Sequence, residues 1–108
     1  MAYEINPKKL ILGSLNAGNN TLVAGGQLGA GIGSIRVWKV EFTSASATTI
    51  TPFSNTTQIA GAIGPIVAGG TVMFINDGVP VQETRAGEAL IWNLSTASVL
   101  VGAIYYTI

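Results

Sequence analysis

Ten charged side chains supply nearly all the acid–base chemistry of this 108-residue chain: Glu4, Glu41, Asp77, Glu83 and Glu88 against Lys8, Lys9, Arg36, Lys39 and Arg85. There is no histidine and no cysteine. That removes imidazole bases, thiolate nucleophiles, disulfides and almost every zinc site. Glu83 and Glu88 are the carboxylates best placed to act as the acid and base of a glycosidase. They flank Arg85 in a polar connection, where solvated loop charges are the ordinary expectation. No D-x-D-x-D cluster offers a calcium loop. Serines and threonines are plentiful, yet no lysine or aspartate stands in an activating motif beside one. The reading is a protein that is not an enzyme and needs no cofactor or metal.

Two further patterns are weaker than they first look. Gly25–Gly33, GGQLGAGIG, resembles a nucleotide loop. A dinucleotide fingerprint needs its third glycine one position later, a following helix and an acidic residue about 20 positions on. Here a strand follows and residues 49 to 57 hold no carboxylate, so a loop packed against neighbouring backbone is expected instead. N-x-S/T triplets at Asn19, Asn55 and Asn93 are expected by chance in a chain this rich in Asn, Ser and Thr.

Charge is the compositional anomaly: 9% of residues, against about 25% in typical soluble domains. The net charge is zero, so nothing marks the molecule for nucleic acid or an anionic membrane. Residues 42 to 76 contain no Asp, Glu, Lys or Arg. That is long enough to cross a bilayer as a helix, but Gly61, Gly64-Pro65 and Gly69-Gly70 cut it into pieces too short for one. With little repulsion to oppose contact, self-association follows.

Read as strands, the pieces make sense. The expected strands are Leu10–Leu15, Thr21–Ala24, Ser34–Thr43, Thr48–Phe53, Ile66–Ala68, Thr71–Asn76, Val79–Glu83, Ala89–Leu94 and Ser98–Ile108, separated by turn clusters such as Asn16–Asn20, Ser44–Ala47 and Asp77-Gly78. Many short strands at close spacing predict an all-β fold, an antiparallel β-sandwich or jelly roll, over residues 10–108. Residues 1–9 read as an N-terminal arm, because Pro7 interrupts regular structure and Lys8 and Lys9 are free for carboxylates. The same segment does not read as a signal peptide.

Two strands report on their surroundings. Around Ile35–Phe42 the apolar positions are odd up to Val37 and even from Trp38 onward. This slip signals a β-bulge at Val37–Trp38, or else Trp38 capping the edge of the core. In Val99–Tyr106 both alternating sets are apolar. Such a strand either runs down the centre of the fold or has its outer face, with Val99, Val101 and Tyr105, covered by another subunit. The scarcity of charge favours the subunit.

The run Gly33–Val40, the turn Ser44–Thr49, the segment Phe53–Thr57 and Thr84–Ser95, TRAGEALIWNLS, follow one another in an order that resembles small β-sandwich virion proteins of tailed bacteriophages. Some of these are capsid decoration, or cement, proteins. The resemblance spans residues 33 to 108 and excludes the Gly-rich segment before it. It implies a homotrimer on the outer surface of the capsid that clamps neighbouring copies of the major capsid protein. Candidate capsid contacts are then Lys8, Lys9, Arg36 and Lys39, and candidate subunit-interface residues are Val99, Val101 and Tyr105. The second reading is a tail, baseplate or fibre module that binds host glycans, with Trp38, Trp92, Tyr105 and Tyr106 as the available aromatics, although their strand positions suit a core or an interface better.

Overall fold

The computed structural model describes residues 7–25, 33–76 and 78–108. Along the chain the strands are β1 (Lys8–Ile11), β2 (Ser14–Leu15), β3 (Gly18–Val23), β4 (Arg36–Ser44), β5 (Thr48–Ser54), β6 (Thr57–Gln58), β7 (Ile63–Ile66), β8 (Thr71–Ile75), β9 (Gln82–Glu83), β10 (Leu90–Leu94) and β11 (Ser98–Thr107). They form two antiparallel sheets. The first runs β1-β11-β4-β8, with β2 also on β11 and β9 also on β4; the second runs β3-β10-β5-β6, with β7 also on β5. The architecture is all-β and sandwich-like. Among the described residues no helix is long and apolar enough to cross a membrane.

Alternation builds the core. In β5 and β10 every second residue is buried, which puts Ile50, Leu90, Trp92 and Leu94 on the face that meets Val37, Val40, Phe42, Leu100 and Ile104 of the first sheet. Phe42 and Trp92 meet across the sheets with ring centroids 5.9 Å apart at 56°. Each such side chain stabilises the fold by roughly 1.5–3 kcal/mol on full burial. Polar groups within this core are paired: Trp92 Nε1 donates to Gln82 Oε1 at 2.9 Å, and the Ser44 and Ser98 hydroxyls share a bond of 2.7 Å. Among the described residues no buried side-chain nitrogen or oxygen is left unpaired.

The slip in β4 is a bulge. Tyr105 faces Lys39 and Tyr106 faces Val37, so Trp38 is the extra residue. Its indole is nonetheless 4% exposed, and its Nε1 donates to Thr107 Oγ1 at 2.9 Å. Next to this strand, Gly102 of β11 has φ 153°, and a Cβ there would overlap the Glu41 carbonyl oxygen. Only glycine lets β11 and β4 approach this closely.

Several expected boundaries shift. β1 begins at Lys8, not Leu10, so the two lysines belong to a sheet edge and not to a free arm. Proline is tolerated just ahead of a strand, where its missing N–H breaks no ladder bond. Gly18–Asn20, expected as part of a turn, already pairs with Leu94, Asn93 and Trp92, and the turn is closed by Asn20, whose side chain bonds back to Asn16. β7 includes Gly64-Pro65, read from sequence as a break; at a strand with one neighbour the missing donor is harmless. The GGQLGAGIG loop, apart from Gly25 and Gly33, and the turn residue Asp77 lie outside the described residues.

Candidate assembly surface

The register of the first sheet fixes what its outer face carries. One row across β1, β11, β4 and β8 is Lys9, Tyr105, Lys39, Ile75; the next is Ile11, Ala103, Glu41, Met73. The row beyond holds Val101, Thr43 and Thr71, with Val99 past it. Ile11, Val101, Met73 and Ile75 are 61–70% exposed. A set of large apolar side chains this open, on neighbouring strands, is the usual mark of a surface made to be covered.

Charge is gathered at one end of this face. The Lys9 and Lys39 ammonium groups lie 5.8 and 5.3 Å from the centre of the Tyr105 ring, within cation–π range from two sides. Lys39 also approaches Glu41 at 3.3 Å, and Arg36 Nε meets Glu83 Oε2 at 2.9 Å beyond it. The ion pairs leave little net charge to resist contact with another neutral surface.

Three of the sequence candidates fall into one neighbourhood. Lys9, Lys39 and Tyr105 form a single cluster, although sequence reasoning assigns the lysines to a capsid contact and the tyrosine to a subunit contact. Val101 and Val99 lie on the same face, two and three rows away. Lys8 is exposed on β1 opposite Tyr106, and Arg36 is held by Glu83 at the end of the sheet. β11 is an inner strand of its sheet, flanked by β1 and β4, which accounts for its buried set, Leu100 and Ile104; of its outer set Val99 and Val101 stay open to solvent, Tyr105 is half-buried and Ala103 is buried.

Sequence reasoning placed a strand at Thr71–Asn76 but did not single out β8 as a site. Its residues TVMFI are mostly exposed on both faces, and Phe74 is 45% exposed. Between β7 and β8 lies a groove of about 470 Å³ lined by Ile63, Pro65, Ile66, Val72 and Phe74. The signal was available: like β11, this strand is apolar at both parities.

Other candidates disperse. Glu83 is bonded to Arg36, while Glu88 Oε1 accepts from the Ser54 hydroxyl at 2.7 Å, so each carboxylate has its own structural partner. Among the described residues no group of three or more metal-ligating side chains gathers. Asn93 donates to Asn19, and Asn55 turns the chain at φ 49° while accepting from the Ala89 N–H. Trp92 is fully buried and Trp38 nearly so, which leaves Tyr105 and Tyr106 as the part-exposed aromatics at the sites considered for glycans. No protein-family model, curated protein or solved structure matches the chain.

Proposed function

We propose that this protein is a non-enzymatic assembly module whose apolar outer sheet face is covered by copies of itself and by a larger scaffold. The observation that carries this reading is the exposure of Ile11, Val99, Val101, Met73 and Ile75 on one sheet that also holds two compact ion pairs. Obligate interfaces are more apolar than ordinary surface and poor in charge at their centres, and the part of this face beyond the Glu41 row, with Val99 and Val101, carries no charge. Joined to the motif resemblance, the specific form is a capsid cement protein of a tailed phage. Three copies would sit on the shell with Val99, Val101 and Tyr105 towards one another, while Lys8, Lys9, Arg36 and Lys39 meet the major capsid protein. Consecutive segments that switch repeatedly between the two sheets favour jelly-roll winding for such a module. Its action would be additive: many modest contacts, multiplied over a shell, raise the barrier to rupture without a chemical step.

Two measurements test the reading. The solution mass is expected to be three times 11.1 kDa, or a whole multiple of that trimer. In purified virions the copy number is expected to be comparable with that of the major capsid protein. A well-behaved monomer at high concentration would overturn self-association, and a copy number in the low tens would move the protein to the tail.

A further inference from the structure

A sheet edge is a row of unpaired main-chain groups, and proteins blunt such edges with charge, proline, glycine or brevity. Three of the edges here are blunted. β1 carries Lys8 and Lys9; β3 begins Gly-Asn-Asn; and on the far side of the second sheet β6 has two residues and β7 contains Gly64-Pro65. The β8 edge has none of these devices. Thr71-Val72-Met73-Phe74-Ile75 is uncharged, free of Gly and Pro, and apolar on both faces.

The direction of its free main-chain groups follows from the ladder. Ser44 N–H donates to the Gly70 carbonyl, and Asn76 N–H donates to the Trp38 carbonyl, so the even-numbered positions point their backbone groups at β4. In an antiparallel pair these bonds alternate. Thr71, Met73 and Ile75 therefore aim their N–H and C=O groups at the edge, where no strand pairs with β8 among the described residues.

From this geometry we infer that β8 pairs with β8 of a second copy, antiparallel about a twofold axis through Met73. In that register Met73 meets Met73 of the second copy, and Thr71 meets the second copy's Ile75 in both directions. Every outward N–H and C=O of the three residues is satisfied at once. On the inner face Val72 lies opposite the second copy's Phe74, so the exposed edge of each groove is closed by an aromatic ring. A one-residue slip would turn the donors of one copy towards groups already bonded to β4 and would place apolar residues on opposite faces. Among the described residues the ionised groups on the neighbouring strand, Lys39 and Glu41, already lie 3.3 Å from each other. A second copy fits this edge better than a charged peptide would, since nothing on β8 offers a charge to recognise one. The inference goes beyond the proposed trimer: it uses the main-chain edge, whereas the trimer contact uses Val99, Val101 and Tyr105 on the sheet face.

The test uses the full chain. Met73 is 61% exposed, so Met73→Lys and Met73→Glu are expected to fold with melting temperatures close to that of the wild type. Each alone should halve the solution mass, because like charges would meet across the axis. Mixing the two variants in equal amounts should restore it, an outcome that a general loss of hydrophobicity cannot give. Since the chain has no cysteine, Met73→Cys introduces the only thiol. Directly opposed residues with Cα atoms about 5.5 Å apart suit a disulfide, so covalent dimers are expected on mild oxidation. A wild-type dimer that halves with Met73→Lys supports β8 pairing and refutes the trimer; a hexamer that falls to a trimer supports both. A trimer unchanged by Met73→Lys, with no disulfide from Met73→Cys, refutes β8 pairing and leaves the trimer standing. A wild-type monomer refutes both.

Discussion

The two sheets of this molecule turn very different outer faces to their surroundings. Strands β3, β5, β6, β7 and β10 contain no charged residue at all. Their outer face is wetted instead by neutral hydrogen-bonding groups: Asn19 and Asn93 joined at 2.8 Å, with Thr21 opposite Ile91 and Thr51 opposite Asn93. The first sheet carries every strand-borne charge, gathered mainly at the Tyr105 end, and on the rest of its face sets exposed Val99 and Val101 beside Thr43 and Thr71. Neutral amides and hydroxyls can satisfy one another or water without attracting a partner. Exposed Val, Met and Ile gain free energy only by being covered, at about 25 cal/mol per Å². A low total of charge is thus compatible with either face, and the distribution of the other residues decides which one would gain more by being covered.

The sharpest way to break the comparison is to put a carboxylate on each face. Val101→Glu is expected to weaken self-association by about 100-fold or more, because an interface cannot bury an unpaired charge. Thr51→Glu on the other sheet should leave the solution mass unchanged. Sedimentation equilibrium of the two variants reads the difference directly, and equal effects would erase the distinction between the faces. Next in size is Gly102→Ala. A methyl group driven into the Glu41 carbonyl at a left-handed φ should cost about 3 kcal/mol of stability and lower the thermal midpoint without acting on the second sheet. The smallest effect is expected at the charged end. Tyr105→Leu removes the ring between Lys9 and Lys39 and should cost about 1 kcal/mol or less, whereas Tyr105→Phe should be close to neutral because the ring face is retained. Urea titration at matched salt separates the two.

The sheet architecture was largely legible because glycine, asparagine and serine clusters mark the turns and because β5, β10 and the inner set of β11 alternate cleanly. The bulge was legible for the same reason: a change of parity within one strand has few other causes. What escaped were effects that depend on neighbours. Gly64-Pro65 looks like a break until the strand is known to lie at the margin of a sheet. Asn16 to Asn20 looks like a turn until Asn20 is seen to close it within two residues. At the candidate surface, Val99 and Val101 could be assigned an outward direction from alternation alone. The meeting of Lys9, Tyr105 and Lys39 required the pairing register of three strands, which residue types do not encode locally. β8 was recognised as a strand but not as a site, because the strand's position at the margin, and not its composition, makes it available.

The extra residue in β4 bears on how the strand would take a change of length. Without Trp38 the segment would read Ile-Arg-Val-Lys-Val-Glu-Phe, an unbroken alternation of inward and outward positions. The tryptophan is thus a supernumerary residue tucked into an otherwise regular ribbon and anchored at its tip by Thr107. Excising it would sacrifice a packed indole while leaving every other side chain of the strand on its present side. Indels in β-strands normally invert everything downstream; here the chain holds a ready-made place where a length change is forgiven.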